Sequence, residues 1–188
     1  MIYTVTLNPA LDYIMYPNNL SVGEINRSAR ESLYFGGKGI NVSFILNELE
    51  IPSVATGFIA GFTGDALENA VSAFAKPDFV RLKKGLTRIN VKLRAENETD
   101  INAAGPEVSN EDINRLFERL EKVRAGDTVV LSGSVPKNMP ADIYENIMKK
   151  LSPRRVKFAV DAEGEALLKS LEFSPFLIKP NLEELSGI

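Results

Sequence analysis

Histidine, cysteine and tryptophan are all absent from the 188 residues. Without cysteine there is no disulfide framework, thiol nucleophile or zinc knuckle. Without histidine, Ser-His-Asp hydrolases and His-ligated metal centres are excluded. Polar chemistry is left to carboxylates, Lys, Arg, hydroxyls, amides and backbone N–H groups. A basic excess is lacking too: 22 Lys and Arg stand against 25 Asp and Glu, a net charge of −3. A surface that coats nucleic acid needs the opposite balance, so no nucleic-acid partner is expected. Small anionic ligands need only a few local cations and stay open. No run of roughly 18 apolar residues occurs, so no membrane span is expected. Met1–Leu7 lacks the basic start and long apolar run of a secretory signal. A cytoplasmic protein is expected, in which Asn41-Val-Ser and Asn97-Glu-Thr are chance matches to a glycosylation pattern.

What is present suits a globular domain: 44% apolar and 25% charged residues. A chain of this length buries roughly 70% of its unfolded surface and needs no staples. Ile2–Leu7 is apolar on both parities, as in a strand covered on both faces. Leu11–Tyr16 alternates loosely, and Gly23–Arg27 and Ser32–Phe35 read as short strands. A helical period follows from Ile40 to about Glu50, closed by Pro52, and then come a strand at Val54–Ile59 and a helix at Asp65–Ala75. Phe79–Leu82, Ile89–Leu93 and Thr99–Ile101 form a second strand-rich patch. Ser109 and Asp112 have capping-box spacing before a helix carrying Ile113, Leu116, Phe117 and Leu120. From Thr128 onward strands and helices alternate: strands at Thr128–Leu131, Val156–Val160 and Phe176–Ile178, helices at Ala141–Leu151 and Glu163–Leu171, and a helix start at Asn181. Such alternation is the signature of βαβ units on a parallel sheet. The expected architecture is an α/β core over 1–188 with a small β-rich attachment from segments near 11–35 and 86–103. The chain stops at Ser186-Gly187-Ile188, inside a helix barely begun, so a missing continuation is expected.

The strongest local signal is Gly36-Gly37-Lys38-Gly39-Ile40-Asn41, a flexible turn running into a helix N-terminus. Its glycines allow close backbone approach, its free N–H groups favour an anion, and Lys38 adds a full charge. The loop is not a Walker A motif, because Ser32 and Gly39 stand where Gly and Ser/Thr are required. Val42 likewise breaks the Rossmann pattern. A plain helix-entry turn explains the glycines equally well. Lys179-Pro180-Asn181 follows a strand, and Asn181 and Glu184 are three apart, a spacing that suits a hydrated Mg²⁺ or simple capping. Asp12 can grip sugar hydroxyls or sit on a solvated strand face. Arg88 can pair with a phosphate or lie on the surface. Ser132-Gly133-Ser134 lies at the C-terminal end of a parallel strand, where α/β ligand sites gather, and is equally at home in a turn. Of the two Gly-Asp pairs, Asp127 runs into a strand and presents no carboxylate at a helix start, while Asp65 opens a helix.

Taken in order, seven stretches resemble the ribokinase-like carbohydrate kinases, the PfkB family: Thr6–Asp12, Gly36–Val42, Gly61–Asp65, Thr87–Val91, Leu131–Pro136, Val160-Asp161 and Ile178–Asn181. Gly-Gly-Lys-Gly at 36–39 is most similar to the 1-phosphofructokinase branch and then to the tagatose-6-phosphate kinases. The resemblance implies a mainly parallel sheet flanked by helices with a small β-sheet lid, which would also form a homodimer contact. It implies an enzyme that uses ATP and Mg²⁺ to convert D-fructose 1-phosphate into D-fructose 1,6-bisphosphate. Tagatose-6-phosphate kinase and a non-catalytic sugar-phosphate-binding protein are the alternatives. It assigns Asp12, Gly37, Asn41 and Ser134 to the sugar, and Lys38, Arg88 and Arg27 to its phosphate. Lys179, Asn181 and Glu184 fall on the nucleotide side, with Asn181 and Glu184 reaching Mg²⁺ through water. The family's Gly-Ala-Gly-Asp, which carries the catalytic aspartate, does not occur here. It is expected further along, so these residues are expected to bind and not to turn over.

Overall fold

The computed structural model describes residues 1–136 and 138–186. Gly187 and Ile188, where the helix reading ends, lie outside the described residues. The elements run in order: β1 (Ile2–Thr6), β2 (Ala10–Pro17), β3 (Ser28–Gly36), α1 (Lys38–Glu48), β4 (Ser53–Ala60), α2 (Gly61–Val71), β5 (Lys76–Pro77) and β6 (Val80–Leu82). There follow β7 (Arg88–Arg94), β8 (Glu98–Ile101), α3 (Asn110–Leu120), β9 (Thr128–Ser132), α4 (Ile143–Leu151), β10 (Lys157–Asp161), α5 (Gly164–Leu171), β11 (Leu177–Ile178) and α6 (Leu182–Ser186).

Seven strands form the main sheet, in the order β11-β10-β9-β1-β4-β5 with β6 also on β4. Every pairing in it is parallel. Both faces are covered near the centre, and β4 is buried along its whole length. Because successive side chains point to opposite faces, β4 feeds two cores. Phe58 and Ala60 join a cluster with Leu116 and Leu120 of α3, Tyr144, Ile147 and Met148 of α4 and Leu167 of α5. Ala55 and Ile59 join Ile40 of α1 and Leu67 and Val71 of α2 on the other side. A chain of buried hydroxyls ties α1 to the sheet: Thr4 and Ser43 share a hydrogen bond of 2.8 Å, and Ser53 donates to Ser43 at 3.0 Å.

The second sheet has four strands in the order β3-β2-β7-β8, drawn from the two segments that the sequence marks as β-rich. β2 lies parallel to β7 and antiparallel to β3. Two expectations are corrected. Gly23–Arg27 is no strand; Asn26 accepts from Ser21 N at 2.8 Å and donates to Ser21 O at 2.8 Å, folding the segment into a closed loop with no partner strand. The helix expected at Asp65–Ala75 starts a turn earlier, at Gly61, and also ends a turn earlier, at Val71. Its first turn is set by tertiary contact: Thr63 Oγ1 donates to Thr87 O at 2.9 Å, and Thr87 Oγ1 accepts from Ala60 N at 2.9 Å. Gly61-Phe-Thr-Gly-Asp65 and Thr87–Val91, which resemble family motifs separately, are therefore one knot that fixes the start of β7. Among the described residues no helix is long and apolar enough to cross a membrane.

Candidate active-site cleft

Three adjacent parallel strands end on polar residues: β1 on Thr6, β9 on Ser132 and β10 on Asp161. Ligand sites of open α/β sheets lie beyond these carboxyl ends. Here they open into a cleft of about 290 Å³ lined by Thr6, Asn8, Gly37, Lys38, Arg88, Asn90 and, across from them, Asn102, Ser132–Ser134, Glu163 and Glu184. A groove lined by Asn102–Glu107 and Val135-Pro136 continues it, sharing Asn8, Arg88 and Ser134.

The glycine loop reaches the cleft because it can pack against β1. Gly37 has φ +131°, and a Cβ there would lie 2.6 Å from Thr6 Cγ2; a Cβ on Gly39 would lie 2.5 Å from Thr6 Oγ1. Only glycine permits the first contact in that conformation. The helix that follows begins at Lys38 without a side-chain cap.

Lys38 is not a free cation. Its Nζ lies 3.0 Å from Asp161 Oδ1 and 3.0 Å from Glu184 Oε1. Burial lowers its pKa, but the hydrogen bonds to both carboxylates outweigh burial and raise it above the usual lysine value. Glu184 is held below the usual carboxylate range by the Asn181 backbone N–H and by Lys38. Asn181 and Glu184 cap each other: Glu184 N donates to Asn181 Oδ1 at 2.7 Å, and Asn181 N donates to Glu184 Oε2 at 3.0 Å.

Arg88 is the cleft's second cation. Its Nε donates to Asn8 O at 3.1 Å, and Asn8 Nδ2 donates to Ala104 O at 2.9 Å, which anchors the 102–106 rim. Burial pushes the Arg88 pKa down, opposed by the charge of Asp12. On the opposite wall, buried Tyr144 donates to Gly133 O at 3.0 Å and fixes the turn that carries Ser134. Burial, and secondarily Asp161, raises the Tyr144 pKa, so this hydroxyl stays a donor. Among the described residues, three buried polar atoms of the lining have no partner: Thr6 Oγ1, Asn90 Oδ1 and Ser132 Oγ. Nearly all buried polar groups are satisfied in folded proteins, so three such atoms around one cleft mark where a polar ligand fits.

Of the residues singled out in the sequence, Gly37, Lys38, Arg88, Ser134 and Glu184 come together in this cleft. Asp12 and Asn41 line a neighbouring groove with Phe35 and Gly36; Asp12 meets the cleft through Asn90, which donates to its Oδ1 at 2.8 Å. Lys179 lies exposed, 3.9 Å from Asp161 Oδ2. Asn181 is engaged in its cap. Arg27 is exposed in the loop joining β2 to β3 and does not line the cleft. Thr6, Asn8, Asn90, Asn102, Asp161 and Glu163 carry no role in the sequence reading, and Ser132 enters it only within Ser132-Gly133-Ser134. For Thr6, Ser132 and Asp161 the available signal is a polar residue ending a parallel strand.

The profile described as pfkB family carbohydrate kinase matches residues 5–188. The chain belongs to this family. It is 46% identical, over 98% of its length and 61% of the relative's, to a 1-phosphofructokinase of Bacillus subtilis. It is 34% identical to a D-tagatose-1-phosphate kinase of Bacillus licheniformis, covering all of this chain and 62% of that one. Phosphofructokinase-2 from Escherichia coli in complex with fructose-6-phosphate superposes with a TM-score of 0.90 at 26% identity, over 99% of this chain and 63% of that one. This PfkB-family chain thus spans about three fifths of the length of the relatives it matches.

Proposed function

We propose that the chain supplies the sugar-phosphate site and part of the nucleotide side of an ATP-dependent kinase that converts D-fructose 1-phosphate to D-fructose 1,6-bisphosphate. The observation that carries this reading is the cleft itself, with Arg88 and Lys38 beside three unpartnered buried polar atoms. Cations suit a phosphate, and hydroxyl and amide groups suit a sugar. In this account Arg88 and Lys38 hold the phosphate already on the sugar, while Gly37 and Ser134 bind its hydroxyls with Asp12 acting through Asn90. Asn41 lies on the Asp12 side. Arg27 lies away from the cleft and reaches a phosphate only as part of a larger assembly. The four-stranded sheet serves as the lid and as the contact of a homodimer, and its closure excludes water from the transfer.

Phosphoryl transfer depends on positioning and charge neutralisation. In this reaction the sugar hydroxyl oxygen bonds to the γ-phosphorus as the bond to ADP breaks, and the hydroxyl proton passes to a base. No base is assigned among these residues. Lys179, Asn181 and Glu184 border the nucleotide side. Asp161 and Glu184 are hard carboxylates already paired with Lys38, and Asn181 Oδ1 is taken by Glu184 N, so these groups would meet Mg²⁺ only through its bound water. Bound there through water, Mg²⁺ would neutralise charge on the nucleotide phosphates. The cellular place that suits this chemistry is the cytoplasm.

The names of the relatives favour a ketose 1-phosphate as acceptor, since both the B. subtilis and the B. licheniformis proteins are named for one. Tagatose 6-phosphate is the competing acceptor, and binding without transfer is the competing class. Calorimetric titration tests the site: fructose 1-phosphate is expected to bind and fructose to bind far more weakly. Equal affinity for the two would remove the phosphate-binding role of Arg88 and Lys38.

A further inference from the structure

Asn90 sits in the middle of β7, directly across from Asp12 of β2 in the parallel register. It is 7% exposed. Its Nδ2 donates to Asp12 Oδ1 at 2.8 Å. An ionised carboxylate is acceptor-only, so the amide nitrogen must face Asp12 and the amide oxygen must face away. That oxygen has no partner among the described residues, and Asn90 lines the cleft. Lys92, two residues on, lies 3.5 Å from Asp12 Oδ2 and holds the carboxylate from its other side. The result is an amide that cannot usefully flip and a single acceptor that is left for a ligand.

Arg88 and Asn90 are two apart on one strand, so they share a face and lie roughly 6.6 Å apart along it. That is the scale of a monosaccharide with a phosphate at one end. The two groups ask for opposite partners. A guanidinium attracts a phosphate oxygen, whereas an amide oxygen repels one and accepts from a hydroxyl.

We propose that Asn90 is a specificity-determining residue that reads one sugar hydroxyl through Oδ1, with Asp12 as the positioning residue that fixes the amide. The pair of Arg88 and Asn90 sets the direction in which the bound sugar phosphate lies, its phosphate toward Arg88 and a hydroxyl toward Asn90. This inference rests on the sugar-phosphate reading above and adds the recognised group, a hydroxyl donor two residues along β7 from the phosphate. A site that binds a hydroxyl by a buried acceptor discriminates against analogues that lack it, because the acceptor is then left unpaired.

The test is calorimetric titration of the unaltered chain and of Asn90→Ala with fructose 1-phosphate, its monodeoxy analogues and inorganic phosphate. Asn90→Ala is expected to weaken fructose 1-phosphate about ten-fold and leave inorganic phosphate within about two-fold. One deoxy analogue is expected to bind the unaltered chain about ten-fold more weakly and to lose nothing further on Asn90→Ala. Undiminished fructose 1-phosphate binding by Asn90→Ala overturns the inference. So does an equal loss for inorganic phosphate, which would make Asn90 a support for the strand alone. Asn90→Ser must show the same split if Asn90→Ala does not fold, as judged by its melting curve. Failure of the unaltered chain to bind fructose 1-phosphate overturns the sugar-phosphate reading and this inference with it, whereas the other two results overturn this inference alone.

Discussion

Lys38 and Glu184, 146 positions apart in the chain, meet at 3.0 Å, with Asp161 Oδ1 at the same distance from the same ammonium. One cation thereby ties the glycine loop to the end of β10 and the start of α6. Lys38→Met removes that cation from two largely buried carboxylates. We expect the variant to melt at a lower temperature and to bind fructose 1-phosphate about 1–2 kcal/mol more weakly, as fits a partly exposed charge-assisted contact. Differential scanning calorimetry and titration read the two effects separately. Unchanged values in both would detach Lys38 from the site.

Arg88 is more buried than Lys38, and it has a second task in holding Asn8 O. Arg88→Ala is expected to weaken fructose 1-phosphate by about 1.5–3 kcal/mol, the range for a hydrogen bond to a charged group. Arg88→Lys should recover only part of this, because a point charge cannot reach Asn8 O and a phosphate with a planar fork. Full recovery by lysine, measured by titration, would reduce the role of Arg88 to its charge.

These two residues also mark how far the sequence can be read. The alternation of strands and helices after Thr128, the capping box at Ser109–Asp112 and the split β-rich attachment are local in origin, and each is present. The glycine loop is legible as the entry to a helix, but its residue types alone do not separate an anion site from a plain turn. The partners of Lys38 are not legible, since Asp161 and Glu184 approach it only through the order of β10 and β11 in the sheet. The start of α2 is missed for the same reason: Thr63 is fixed by Thr87, 24 positions away. Asn90 reads as one polar residue in a strand until its register opposite Asp12 is known.

Away from the cleft, Ser109 accepts from Asp112 N at 3.2 Å and Asp112 Oδ2 accepts from Ser109 N at 3.2 Å. Ser109→Ala should cost about 1 kcal/mol of stability through loss of the N-cap. Urea denaturation checks the cost, and sugar-phosphate affinity should not change. A stability loss below about 0.3 kcal/mol would show that packing of α3 alone sets its start.

The N-terminal ammonium lies 2.8 Å from Asp127 Oδ1. Burial raises the Asp127 pKa, but the hydrogen bonds from the N-terminus and from Arg124 N outweigh it and hold the group below its ordinary 3.8. Asp112 is held below 3.8 in the same way, burial being outweighed by Ser109 and Arg115. A carboxylate with a lowered folded-state pKa contributes stability above its unfolded value and loses it as pH falls through the folded one. The urea midpoint is therefore expected to vary little from these two groups between pH 7 and 5 and to drop below about pH 4. Asp127→Asn should be less stable at neutral pH and show a shallower drop. An equally steep drop in Asp127→Asn would contradict the assignment.

Coupled ADP release by the full-length gene product, with ATP, Mg²⁺ and either fructose 1-phosphate or tagatose 6-phosphate, decides whether this cleft serves a kinase for a ketose 1-phosphate. Turnover with a higher kcat/KM for fructose 1-phosphate is expected, with a fall in that value for Arg88→Ala. A higher kcat/KM for tagatose 6-phosphate would contradict the substrate, and no ADP release with either sugar would contradict the kinase reading itself.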